Sequence, residues 1–231
     1  MVDESRVTQA GVSAEGSLET SKLLRNTYTL LSLTLLFSAL MAIVGMAFQM
    51  GIIGYFVCLF GGMGMTFVVH KFRNSGVGLA AAFGVSGLLG MAIGPLLNVY
   101  LGQFSNGPEL VAMTTGMTAV IFLGLSGYVL TTGKDFSFMR GFLMAGLGVA
   151  LIGVAVVFVG GFLLGFNVQP LSLALSALIV LLMCGFILYD TSNIINGGET
   201  NYIVAAVSLY TNIWVLFVNL LQLMMFFFGE E

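Results

Sequence analysis

Residues 187–203 read ILYDTSNIINGGETNYI and carry two carboxylates, Asp190 and Glu199, in a chain with ten acidic side chains among 231 residues. A carboxylate here has four kinds of chemistry open to it. It can pair with a cation, cap a helix, ligate a hard metal ion, or exchange a proton. Counted from Pro170 at 1.5 Å per residue, Asp190 lies about 30 Å along an apolar run, at the edge of a bilayer's hydrocarbon core. An acid near a helix C-terminus faces the negative end of the dipole and calls for compensation. Lys71 and Arg73 are the nearest cations expected on that side. Two readings of Asp190 stand: an ion pair with Lys71 or Arg73, and a titratable gate or cation site. Glu199 precedes the last apolar run, where the free N–H groups of a helix start welcome a carboxylate.

Other reactive patterns are weaker. The spacing Asp190, Asn193, Asn196, Glu199 is oxygen-rich but does not match the twelve-residue EF-hand loop. No His/Cys/carboxylate cluster suggests a metal, and no cofactor is expected. GVSG (84–87) and GLSG (124–127) match the G-x-S-G pattern of serine hydrolases. A nucleophilic serine needs a base, and the chain holds one histidine, His70, at the end of a different apolar run. Small-residue patterns of this kind also arise from helix packing in lipid. The last run has no lysine for a Schiff base, which disfavours a retinal protein. The chain reads as a non-enzyme.

The elements that position these residues follow from composition. Hydrophobic residues make up 58% and charged residues 7%, and mean hydropathy is +1.06. Such a chain has the bilayer as its solvent. Seven runs are long enough to cross it, near 27–50, 52–70, 77–100, 110–131, 140–164, 170–190 and 202–228. The expectation is an all-α integral membrane protein, a seven-transmembrane-helix bundle over 26–231, preceded by a disordered cytoplasmic tail over 1–25. All seven basic residues (Arg6, Lys22, Arg25, Lys71, Arg73, Lys134 and Arg140) fall before helix 1 or in the 2–3 and 4–5 connections. The positive-inside rule therefore expects a cytoplasmic N-terminus and the C-terminus across the membrane. Cys58 and Cys184 lie inside spans and do not read as a disulfide. No basic run points to nucleic acid.

Small residues four apart (Gly90 and Gly94, Gly141 and Ala145, Gly161 and Gly165) let helices approach closely in lipid. Pro95 should kink helix 3 near its end. Helix 7 places Ser208, Thr211, Asn212, Asn219 and Gln222 within an arc of about 100°. Polar groups on one face do not belong against lipid tails, so helix 7 is expected at the bundle centre. Those groups serve either to bind neighbouring helices or to line a wet cavity.

NTYTLLSLTLLFSAL in helix 1, GPLLNVYL ending helix 3, YVLTTGKDFSF after helix 4 and LYDTSNIINGGETNYIVAAVSLY together resemble the Bax inhibitor-1 family. More narrowly, they resemble its bacterial YccA-like branch, modulators of the FtsH membrane protease. The resemblance implies a seven-helix bundle with helix 7 in the middle. It also implies a bacterial inner-membrane location and, as partners, an FtsH-type protease and its membrane accessory proteins. In the wider family a calcium leak is attributed to an aspartate pair on helices 6 and 7. The first member maps onto Asp190; the second falls on Asn212, which has no charge to couple. The leading expectation is a protein that restrains the protease, whose ATPase ring could grasp a tail of about 22 residues reaching roughly 70 Å. The alternative is a pH-sensitive calcium or proton leak using Asp190 and the polar face of helix 7.

Overall fold

The computed structural model describes residues 4–230, with side chains from Leu18 onward except that of Phe162. Among the described residues there are seven long helices and no strand: α1 (Glu4–Ala47), α2 (Ile52–Lys71), α3 (Gly76–Gln103), α4 (Gly107–Thr132), α5 (Arg140–Phe158), α6 (Gln169–Ile195) and α7 (Tyr202–Phe228). A 3-10 turn (Ser137–Met139) leads into α5, and a π turn (Val159–Leu163) ends it. All seven helices are long and apolar enough to cross a membrane. Helices satisfy their own backbone groups, which is what hydrocarbon demands of a spanning segment. The chain is a multi-pass membrane protein. Its N-terminus and the α2–α3, α4–α5 and α6–α7 connections share one end of the bundle, here the basic end. The other connections and the C-terminus form the far end.

Helix α7 occupies the middle, packed against α1, α2, α3, α4 and α6. None of its residues from Tyr202 to Met225 is exposed. Helix α5 is the opposite case: it leans on α6 and buries only Leu143 and Ala150. In lipid an apolar side chain gains little by leaving the tails, so polar and small residues decide which helix goes inside. α7 carries amides, a buried tyrosine and the one tryptophan, whereas α5 is almost wholly aliphatic.

The tightest seam joins α1 to α3. A Cβ on Gly90 would stand 2.5 Å from the Ser38 carbonyl oxygen, and one on Gly94 would collide with the backbone of Gly45. The Gly90/Gly94 pair is thus spent within the chain. The other two pairs are not seams. Gly141 faces open space, and Gly165 is a left-handed turn residue (φ +68°) after the π turn. Helix α3 stays helical through Pro95. Both cysteines are free.

The boundary of the first span departs from expectation. Residues 4–25 are helical and continuous with the span, with no proline in that stretch to stop α1. The disordered tail expected over 1–25 is thus helical from Glu4, and its residues 1–3 lie outside the described residues. At the far end, Glu230 closes onto the α3–α4 connection. Its carbonyl accepts from the Ser105 amide at 2.8 Å, and the Asn106 side chain bonds the Phe228 carbonyl at 2.7 Å.

Gly90→Ala is expected to destabilise the α1–α3 seam by about 1–3 kcal/mol, because the new methyl runs into the backbone and hydroxyl of Ser38. Gly141→Ala should be neutral or slightly stabilising, since an open helical glycine gains from a methyl. Thermal unfolding of the purified protein, followed by the fluorescence of Trp214, checks both.

Candidate functional site

Asp190 and Asn212 come together where α6 meets α7. The Asn212 amide nitrogen donates to the Asp190 carboxylate at 2.7 Å. Asp190 sits five residues before the end of α6, on the side that buries Ile187, Thr191 and Ile194. Asn212 is 9% exposed and belongs to the buried core of α7. Asp190 itself is half-buried, and its bond to Asn212 meets a polar group that, left unbonded inside the bundle, would cost about 1–3 kcal/mol.

The ion pair considered for Asp190 with Lys71 or Arg73 does not form among the described residues. The Lys71 ammonium lies 5.8 Å above the Phe72 ring, and Arg73 offers its carbonyl to Asn201. The physical reason is direction. Asp190 looks inward at α7, while the α2–α3 connection is tied higher up, to the start of α7.

Asn201 makes that tie. Its side-chain oxygen accepts from the amides of Ile203 and Val204 at 3.0 and 3.1 Å, capping α7. Its side-chain nitrogen donates to the Arg73 carbonyl at 2.9 Å and to Asn74 at 2.8 Å. The cap is therefore Asn201, not Glu199. Glu199 serves one step earlier by accepting from the Asn201 amide at 2.7 Å. Helix α6 does run on through TSNII, with Gly197 left-handed (φ +75°) just beyond it. The Gly198 and Glu199 amides close back on the Asn193 carbonyl, an arrangement of the kind that satisfies orphan carbonyls at a helix end.

Two further ties complete the basic end. Tyr28 of α1 bonds Ser126 of α4, whose hydroxyl is 3.2 Å from Thr191 of α6. In the α4–α5 connection, Asp135 accepts from the Ser137 amide at 2.8 Å and its hydroxyl at 3.0 Å, and Phe136 donates its amide to Ser192 at 2.8 Å. The Ser137 amide, then its hydroxyl and that of Ser192, hold the Asp135 carboxyl below its ordinary range. Directly beside Asp190, Thr191 thus ties α6 to α4 and α1, and Ser192 anchors the α4–α5 connection.

The polar face of α7 divides. Gln222 bonds Ser176 at 2.9 Å and Ser172 at 3.4 Å on α6. Thr211 and Asn219 instead return to their own helix, bonding the Val207 and Val215 carbonyls. Ser208 is half-buried. The residues that sequence reasoning missed lie on the other side of α7. The Tyr210 hydroxyl is 2.7 Å from Ser38, and the Trp214 indole donates to the Leu89 carbonyl at 2.8 Å. Buried tyrosine and tryptophan need such partners, and that need was the available signal. The two G-x-S-G serines are structural: Ser86 bonds the Phe83 carbonyl, Ser126 sits in the Tyr28 tie, and His70 bonds its own helix at Thr66.

A family model described as inhibitor of apoptosis-promoting Bax1 matches residues 20–229. An uncharacterised protein of Pseudomonas aeruginosa is 47% identical over 205 residues, covering 89% of each chain. An Escherichia coli K12 protein named modulator of FtsH protease YccA is 44% identical over 222 residues, covering 96% of this chain and 97% of its own. A Vibrio cholerae protein, named an uncharacterised membrane protein, is 44% identical over 214 residues and 92% of each chain.

Asn201→Ala is expected to cost about 1 kcal/mol through the lost cap and to free the α2–α3 connection as well. Asn201→Asp keeps the capping acceptor and loses the donor to Arg73. Hydrogen exchange should therefore rise at both residues 72–75 and the first turn of α7 in the alanine variant, but only at 72–75 in the aspartate variant.

Proposed function

The chain belongs to the Bax inhibitor-1 family of membrane proteins, and from that membership we propose that it binds and restrains an FtsH-type, ATP-dependent protease of the bacterial inner membrane. The observation that carries this reading is the 44% identity, over 96% of this chain, to the Escherichia coli protein named as a modulator of that protease. On this reading the basic end faces the cytoplasm and the C-terminus the periplasm. The distribution of Lys and Arg supports that orientation. The apolar part of α1 from Leu18 to Ala47 spans 30 residues, about 45 Å, more than the roughly 30 Å of hydrocarbon. It offers a handle on the same side as the ATPase ring. The protease's membrane accessory proteins are partners in the same assembly, and the chain itself acts without catalysis.

A second reading, a proton or calcium leak, draws on the Asp190–Asn212 contact. A single carboxylate lies at the α6–α7 interface, under the three connections of the basic end. It has no second acid across from it on α7, so it works as a lone titrating or cation-binding group rather than as a coupled pair.

Two experiments test these readings. Gentle solubilisation of native membranes with a C-terminal tag should recover the protease with the full chain and lose it when residues 1–20 are removed. Recovery unchanged by that deletion takes the contact out of the N-terminal segment, and a preparation free of protease overturns the first reading. For the second, purified protein in liposomes should pass protons or calcium, and Asp190→Asn should abolish the pH dependence of that flux. Flux indifferent to the substitution removes the gate.

A further inference from the structure

At the far end of the bundle a cavity of about 650 Å³ opens between the α1–α2 turn, the first turn of α2 and the last turns of α3. Its volume falls in the range of small-ligand sites. The residues that matter are Gln49, Ile52, Tyr55, Leu96, Asn98 and Val99. Ile52 and Val99 are 67% and 51% exposed, so the mouth opens sideways, towards lipid. The depth is set by the elements: every lining residue lies in the outer turns of α2 or α3 or in the turn joining α1 to α2. That is the level at which lipid headgroups give way to acyl chains.

The polar groups are few and uncommitted. Among the described residues the Tyr55 hydroxyl and the Gln49 side-chain amide have no protein hydrogen-bond partner. Asn98 donates its amide to the Met46 carbonyl at 3.0 Å, which pins α3 to the end of α1 and leaves its side-chain oxygen facing no protein donor. The wall has no acid and no base, and no Lys or Arg occurs in any connection at this end. A phosphate or carboxylate would find nothing to pair with here. Gln49 holds φ at +47°, a left-handed backbone that a non-glycine residue adopts at a cost of about 1 kcal/mol. That turn shapes the rim.

We propose that this cavity binds a membrane lipid with an uncharged, hydrogen-bonding head, an acylglycerol, taken from the leaflet at the far end. The head meets Tyr55, Gln49 and the Asn98 oxygen. The chain leaves past Ile52, Leu96 and Val99 into the bilayer. The assignment is independent of both functional readings above.

The test uses the full chain in nanodiscs and a monoacylglycerol carrying a mid-chain diazirine. Photolabelling should saturate, and its adducts should map to residues 49–55 and 95–99. Unlabelled monoolein should compete, whereas the same chain on a phosphate head (lysophosphatidic acid) should not. Tyr55→Phe should weaken labelling about fivefold, the effect of one hydrogen bond. That variant should unfold at the wild-type temperature, because the hydroxyl it lacks bonds nothing in the protein. Val99→Trp, which fills the mouth, should abolish labelling. Adducts scattered over all lipid-facing helices, equal competition by the phosphate-headed lipid, or labelling untouched by both substitutions would overturn the proposal.

Discussion

Everything in this bundle depends on keeping the polar groups of α7 away from lipid tails. The hydrophobic effect cannot do the sorting, because the surrounding solvent is as apolar as the side chains. What sorts the helices is where amides, hydroxyls and indoles find partners and where small residues allow backbones to meet. α7 carries Tyr210, Asn212, Trp214 and Gln222, each bonded to another helix: Ser38 of α1, Asp190 of α6, Leu89 of α3 and Ser176 of α6. Those four contacts point in three directions, and a helix so held can only be surrounded. α5, with nothing of that kind to satisfy, is left at the margin.

Polar side chains close both ends of the bundle, but around different contents. At the basic end the closure is made by polar side chains. Asn201 holds the α2–α3 connection, Ser192 holds the α4–α5 connection, and Thr191 joins Ser126 and Tyr28. All three ties converge on the last two turns of α6 and the first turn of α7, and Asp190 lies between them. At the far end Ser105 and Asn106 hold the chain end: the Ser105 amide and hydroxyl donate to the Glu230 carbonyl, and the Asn106 side chain bonds the Phe228 carbonyl and the Glu230 amide. Beside it the α1–α2 turn stands off from α3 and leaves room. One end is knitted shut around a carboxylate, and the other keeps an uncharged hollow.

Much of this was legible in the sequence. Seven spans, the amphipathic stripe of α7 and the glycine cap after α6 follow from patterns with a period, and periods survive tertiary context. The Gly90/Gly94 pair was readable as a close approach, and Asp190 with Asn212 as neighbours through the family resemblance. What misled was local electrostatics. Arg73 and Lys71 are the right charge on the right side for Asp190, yet side-chain direction on α6 turns the acid inward. Glu199 stands where a capping acid belongs, yet Asn201 is two residues closer and reaches both the helix and the neighbouring connection. Ties such as Phe136 to Ser192 link positions 56 apart in sequence and leave no mark on any pattern.

The central helix is also the last of the seven to leave the ribosome. Helices α1 to α6 enter the bilayer with no axle to assemble on, and until α7 follows, Asp190, Ser38 and the Leu89 carbonyl have nothing from it to bond. The α1–α3 seam can form early, since its glycines need only each other's backbones. The α4–α6 half meets that pair directly at few places, Tyr28 with Ser126 among them, and otherwise through α7 between them. The α1–α3 seam thus needs nothing from α7, whereas the polar contacts at the bundle centre all require it. A ribosome that stalls before Tyr202 would leave that centre open, its polar lining bare to lipid.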